Sequence, residues 1–185
     1  MLMNKFLLDF KKYKKYGGGK SAILLFITTQ GLWALFVYRL SNSIYTSKLP
    51  FFIKKPLLLG AVINQKIIEV LTGISLPYAA TIGARFYIAH HGHIIVHPNT
   101  VIGDNCNIAQ GVTIGVSGRG NKRGVPVIGN NVFMAANAII AGKIVVGDNS
   151  VIGANSLVVK NVAQSITVVG VPAVKVSDNN SEAYI

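Results

Sequence analysis

The sequence predicts a mainly β protein, a parallel β-helix of six-residue repeats behind an N-terminal α-helical cap, and three observations carry that prediction. Aliphatic residues recur at every sixth position at Ile128, Met134, Ile140, Val146, Ile152 and Val158, after an earlier run at Ile102, Ile108 and Ile114. Gly or Ala follows most of them: Gly83, Ala89, Gly103, Ala109, Gly115, Gly129, Ala135, Ala141, Gly147 and Gly153. Residues 1–73 show neither feature and read as helical instead.

A period of six is neither the 3.6 of a helix nor the 2 of a strand. It fits a three-sided prism with one short strand and one corner per repeat, so that about eighteen residues close a coil. The aliphatic residue points inward and stacks on its counterparts above and below. Its successor must be small, because a larger side chain crowds the turn. Asn105, Asn130, Asn131, Asn149 and Asn155 fall at turns, where asparagine tolerates positive φ. Ile82, Ile88 and Val96 extend the pattern backwards, with two extra residues before Val96. The domain reading is a helical region over 1–73, the β-helix over 74–176 and a C-terminal tail over 177–185.

One stretch breaks the period. Residues 115–127, GVSGRGNKRGVPV, carry four Gly with Arg119, Lys122 and Arg123. A polar, Gly-rich insert cannot stack inside a prism, so it is expected to protrude as a loop. Basic side chains on such a loop suit a phosphate-rich ligand.

Within the helical region the candidate helices are 4–16, 21–44 and 55–71, separated by Gly17-Gly18-Gly19 and by Ser47–Pro50. Pro56 is placed near a helix start, where its missing N–H costs little. Ile63, Ile67, Ile68 and Leu71 mark one apolar stripe of the last helix. Ser21–Tyr38 carries no charge and touches the lower length limit of a membrane span. Thr28, Thr29 and Gln30 at its middle argue for a buried or interfacial helix instead. The start, Met1–Phe10, lacks the order of a signal peptide.

Composition narrows the classes further. Hydrophobic residues make up 51% of the chain and charged residues 13%, which excludes disorder. So little charge suggests a surface partly covered by other subunits or by a membrane face. The net charge is +12, and residues 1–72 hold eleven Lys or Arg against only Asp9 and Glu69. Lys11, Lys12, Lys14, Lys15 and Lys20 form a basic cluster suited to anionic lipid head groups or a polyanionic substrate, and nucleic acid is not taken as a partner. Cys106 is the only cysteine, which excludes an internal disulfide and fits a reducing compartment. The expected location is cytoplasmic, at the inner face of the cell membrane.

Four histidines lie within eight residues, at His90, His91, His93 and His97. No second cluster of Cys or carboxylates accompanies them, so no metal is expected, although His-Gly-His remains the one candidate ligand pair. A single histidine acting as general base needs only a hydroxyl acceptor and an activated acyl donor.

The hexapeptide run, the segment IGARFYIAHHGHIIVHPNTVIGDNCNIAQGVTIG and the close GVPAVKV resemble the serine O-acetyltransferase branch of the hexapeptide-repeat acyltransferases. VYRLSNSIY is similar to the helical cap of that branch. The resemblance implies a left-handed β-helix, a homotrimer, and acetyl transfer from acetyl-CoA to a hydroxyl; whether trimers pair into a dimer of trimers is left open by the sequence. By position it implies His90 as the catalytic base; His91 and His93 are the fallback bases. The family's acidic orienter falls on Ser75, a second acid falls on Ala89, and its Arg-His-Pro loop sequence is replaced by Arg123 followed by Gly124-Val125-Pro126. These departures make the chain look closer to polysaccharide-biosynthesis O-acetyltransferases, whose acceptor is a carbohydrate. For the donor the resemblance implies a groove between two subunits along Gly115, Ala135, Ala136, Gly153 and Ala154. Arg119, Lys122, Arg123 and Lys160 would meet phosphates, and Gly170–Ala173, with Pro172, would lie near the adenine. The competing readings are serine acetylation in cysteine biosynthesis, a non-catalytic β-helix assembly module, and a zinc hydratase of the carbonic anhydrase type.

Overall fold

The computed structural model describes residues 2–185. Four helices come first: α1 (Leu2–Tyr16), α2 (Ala22–Thr28), α3 (Gln30–Thr46) and α4 (Phe51–Thr72). Short strands then wind around three faces. The first face stacks β1 (Ile74–Ser75), β4 (Ile94–Val96), β7 (Thr113–Gly115), β10 (Ile139–Ala141) and β13 (Leu157–Val158). The second stacks β2 (Thr81–Ile82), β5 (Val101–Ile102), β8 (Val127–Ile128) and β11 (Val145–Val146). The third stacks β3 (Tyr87–Ile88), β6 (Asn107–Ile108), β9 (Phe133–Met134), β12 (Val151–Ile152) and β14 (Thr167–Gly170), and ends on β15 (Ala173–Ser177).

All pairs within the coils are parallel, and the inward aliphatic residues stack in register. Ile82 pairs with Ile102 and Ile102 with Ile128 on the second face. Ile88, Ile108, Met134 and Ile152 follow one another on the third, and Val96, Ile114, Ile140 and Val158 on the first. These side chains are 2% exposed or less. Each such burial contributes roughly 1.5–3 kcal/mol, which is why the six-residue repeat dictates the architecture.

The faces meet at three edges. Between the second and third, Asn105, Asn131 and Asn149 take φ of 60°, 53° and 59°. Their amides form a ladder, Asn105 donating to Asn131 at 2.8 Å and Asn131 to Asn149 at 2.9 Å. The edge between the third and first faces carries His90, His91 and His93, and is called here the histidine edge. The edge between the first and second faces carries the insert, which leaves the coil after β7 and rejoins it at β8, and is called the loop edge. Ser117 and Gly124 exchange backbone hydrogen bonds of 3.1 and 3.0 Å at the neck of that insert. A Cβ on Gly118 would sit 2.3 Å from the Lys122 carbonyl, so only glycine lets the loop fold back on itself.

The first coil has no coil above it, and the helices supply what its open rim lacks. The Tyr38 hydroxyl donates to the Ala80 carbonyl (2.7 Å) and accepts from the Ile82 N–H (3.0 Å). Tyr13 does the same around Ile88, at 3.1 and 2.9 Å. An exposed row of strand N–H and C=O groups invites pairing with another chain, and these hydroxyls close it. At the other end the tail lies along the third face, where Asn107 donates to the Tyr184 carbonyl (2.6 Å) and the Phe133 and Tyr184 rings stack at 4.7 Å.

Three expectations for the helical region are corrected. The helix expected over 21–44 breaks at Thr29, which is extended at φ −122° and ψ 98°, and α2 and α3 are bent by 91°. The break falls at the polar Thr28-Thr29-Gln30, where side chains compete for backbone hydrogen bonds. The last helix starts at Phe51, so Pro56 lies inside it. Within its apolar stripe only Ile68 packs against the core, whereas Ile63, Ile67 and Leu71 are 54%, 52% and 64% exposed. Helix α4 buries only Ala61 and Thr72 and leaves Phe51, Phe52, Leu59 and Val70 uncovered within the single chain. No single described helix is long and apolar enough to cross a membrane.

Candidate active site

His90, His91 and His93 occupy the one five-residue corner of the histidine edge, residues 89–93. The corner is wider because Gly92 and His93 both take positive φ, 105° and 53°. Gly73, the left-handed C-cap of α4, tucks beneath it; a Cβ there would lie 2.9 Å from the His93 backbone nitrogen. The side chains of His90 and His91 are therefore held outside the prism, exposed, and both line a cavity of about 280 Å³ between the corner and the helices. His97 lies apart on the loop edge, where its Nδ1 accepts from the Asn99 N–H at 3.1 Å. Among the described residues no group of three or more His, Cys, Asp or Glu is arranged to hold a metal.

Ser75 sits on β1 with Ile95 as its rung-mate, and no hydrogen bond joins it to a histidine among the described residues. A different polar group stands close in the coil order: Gln110, whose corner follows one rung below and whose Oε1 is buried without a partner. The Gly111 N–H donates to the Gly92 carbonyl at 3.0 Å, which ties the two corners together. Sequence reasoning passed over Gln110, and the one signal was its place in the repeat, directly after Ile108-Ala109.

The expected donor residues fall on two edges. Ala135, Ala136, Gly153, Ala154 and Pro172 follow His90 down the histidine edge, over four rung spacings or about 19 Å. Gly115, Arg119, Lys122, Arg123 and Lys160 lie along the loop edge. One chain cannot join them into a single lane. The reason is the prism itself, since the first face stands between the edges. Stacking alone explains part of the small-residue pattern: a Cβ on Gly153 would meet Val169 Cγ2 at 2.5 Å. At Gly115 a Cβ would meet only Thr113 Cγ2, at 3.8 Å, so the coil does not require glycine there. Beside the loop, Lys122 and Lys143 line a second cavity of about 400 Å³ with Ser117 and Asn121. Lys143 was not singled out from sequence, although it occupies the loop-edge corner one coil below the insert.

Acidic groups are missing from both edges. The chain has six Asp and Glu residues. Asp9 and Glu69 belong to helices, Asp104 and Asp148 to the asparagine edge, and Asp178 and Glu182 to the tail. Cys106 is buried, and burial pushes its thiol up to about 12, so it is not a nucleophile at neutral pH.

Three parallel faces, an exposed histidine corner and a basic insert together define a hexapeptide-repeat transferase. Residues 126–160 match the family model described as bacterial transferase hexapeptide (six repeats). A Bacillus pumilus protein named serine acetyltransferase is 35% identical over 163 residues, covering 88% of this chain and 71% of that protein. The Bacillus subtilis protein of the same name is 33% identical over the same two shares. Among solved structures, the serine acetyltransferase of Brucella abortus in complex with coenzyme A superposes with a TM-score of 0.82 at 26% identity, covering 96% of this chain and 68% of that one. The Neisseria gonorrhoeae serine acetyltransferase in complex with serine gives 0.81 at 32% identity, covering 95% and 69%. This chain belongs to the serine acetyltransferase family, and it is an acyltransferase. The expected nearer kinship with polysaccharide-biosynthesis enzymes finds no support in these relatives.

Proposed function

We propose that the chain is an acetyl-CoA-dependent O-acetyltransferase in which His90 is the general base. The observation that carries this reading is the His90 ring, held outside the coil on a widened corner that opens on a cavity. The imidazole takes the proton of an acceptor hydroxyl as its oxygen attacks the thioester carbonyl of acetyl-CoA. The tetrahedral oxyanion collapses, the acetyl ester forms, and the imidazolium returns its proton to the departing CoA sulfur. His91 on the same corner is the fallback base.

The donor is read as lying in a groove shared by two subunits, one giving its histidine edge with Ala135, Ala136, Gly153, Ala154 and Pro172. The other gives its loop edge with Gly115, Arg119, Lys122, Arg123 and Lys160. The separation of these sets on one prism supports a groove shared between subunits, and the family resemblance implies that the assembly is a left-handed homotrimer, with a dimer of trimers as its extension. Sedimentation tests it: a monomer that retains full turnover removes the shared groove.

The names of the relatives support L-serine as the acceptor, ahead of the carbohydrate expected from the sequence. One observation favours the second reading. Neither edge carries a carboxylate to pair with the ammonium group of an amino acid, and a buried or clefted ammonium without a counter-charge is costly. A sugar hydroxyl makes no such demand. Release of CoA thiol with L-serine and with a panel of sugars distinguishes the two, and His90→Ala must lower whichever turnover is found by about 10²-fold or more. Thioester turnover undiminished in His90→Ala removes His90 as the base; no turnover with any acceptor favours a binding module.

A further inference from the structure

The cavity beside His90 has walls that the β-helix alone does not supply. One is the α1–α2 turn with Tyr16 and Lys20; another is the start of α3 with Gln30. The Tyr16 and Tyr87 rings lie 4.6 Å apart, and so do those of Tyr13 and Tyr87, which makes one wall an aromatic shelf. The Tyr13 hydroxyl is occupied by the Ile88 backbone. Lys15, the neighbouring cation, donates to the Ile185 carbonyl at 3.2 Å. Lys20 forms no ion pair among the described residues, and no Asp or Glu lines the cavity.

A cation without a counter-ion, facing the cavity that holds the base, makes that space favourable for an anion. The geometry points to Lys20 as the residue that recognises an anionic group on the acceptor, with the carbon skeleton on the Tyr16–Tyr87 shelf and the reacting hydroxyl turned to His90. The assignment rests on the acetyl-transfer reading and deepens it. The anion is the carboxylate of an amino acid or the phosphate or carboxylate of a sugar derivative, since both present the same charged oxygens to an ammonium group.

Calorimetric titration with matched probes tests it on the full-length protein: L-serine against L-serinamide, and glucose 6-phosphate against glucose. In at least one pair the anionic member binds about tenfold tighter or more. Lys20→Met removes that advantage, while Lys48→Met, an exposed lysine outside the cavity, leaves it intact. The pair that shows the effect identifies the source of the anion. For an acceptor that turns over, Lys20→Met raises its KM and leaves kcat and the KM for acetyl-CoA unchanged. Equal affinity within both pairs, absence of binding included, or an advantage that survives Lys20→Met overturns the assignment. His90-dependent turnover indifferent to Lys20 removes only this assignment; Lys20-dependent binding without His90-dependent turnover removes the acetyl-transfer reading instead.

Discussion

Asp9 and Arg39 form a two-point ion pair, Nε to Oδ2 at 2.8 Å and an Nη to Oδ1 at 3.2 Å, with both side chains removed from water. Asp9 also accepts the Phe86 N–H at 2.9 Å, and Arg39 donates to the carbonyls of Ile82 and Gly83. Helices α1 and α3 are thus fastened to one another and to the first coil at a single point. Burial pushes the Asp9 carboxyl up, and the Arg39 guanidinium and the Phe86 N–H pull against that rise.

Removing one member leaves the other charge stranded in an apolar setting. Arg39→Met is expected to lower stability by about 3–5 kcal/mol. The double variant Asp9→Leu/Arg39→Met is expected to lose clearly less than the two single losses together, because no charge is left unpaired. Urea midpoints of the four proteins measure this, and additive losses would show that the pair is not the fastening.

Lys12 connects the cap to the asparagine edge, donating to the Asn105 carbonyl at 3.2 Å and to its side-chain oxygen at 2.9 Å. Burial pushes its ammonium down to about 8 from the usual 10.5. Between those values the unfolded chain holds a proton that the folded chain has released, so stability rises with pH across the window. Below about 8 both states are protonated and the cost of burying the charge is constant. Urea midpoints across the window should climb in the wild type and climb less in Lys12→Met; parallel slopes would exclude Lys12 as the source.

The β-helix was legible because its signal is steric and local. Ile102, Ile108 and Ile114 point inward since nothing else fits a coil that narrow, and each corner repeats the same demand. The helical cap was less legible because its geometry is set by contacts distant in sequence. The polar Thr28-Thr29-Gln30 marks where the helix can break but not the right angle of the bend, which goes with Tyr38 and Arg39 reaching the rim of the first coil. Periodicity on α4 could not say which side faces inward, since Ile63 and Ile67 are as apolar as Ile68. At the site, the cluster at His90 was visible as composition. Lys20 was seen only as one of a run of lysines, because its place beside His90 depends on how the α1–α2 turn folds over the corner.

Glycines at two positions separate the needs of the coil from those of the donor. A Cβ on Gly83 would lie 2.4 Å from the Gly103 carbonyl oxygen, so Gly83→Ala is expected to cost on the order of 1–3 kcal/mol by overpacking. Gly115→Ala meets only ordinary contact and is expected to leave the unfolding midpoint within about 0.5 kcal/mol. If pantetheine lies against that backbone, Gly115→Leu raises the KM for acetyl-CoA with little change in stability. An unchanged KM in Gly115→Leu would remove this residue from the donor groove.

The three corner histidines differ in what the backbone asks of them, and that difference predicts their separate effects on turnover. His93 is held at φ 53°, a left-handed conformation in which its side chain is not needed, so His93→Asn or His93→Gly should preserve folding and rate. His90 and His91 both face the cavity, and adjacent residues on a corner cannot present their rings to one hydroxyl in the same way. His90→Ala is expected to lower kcat by about 10²–10⁴, the usual contribution of a positioned general base. His91→Ala should change it by less than about tenfold. Should the larger loss fall on His91, the base is the second histidine of the corner, and the acceptor hydroxyl approaches from one residue further along the edge.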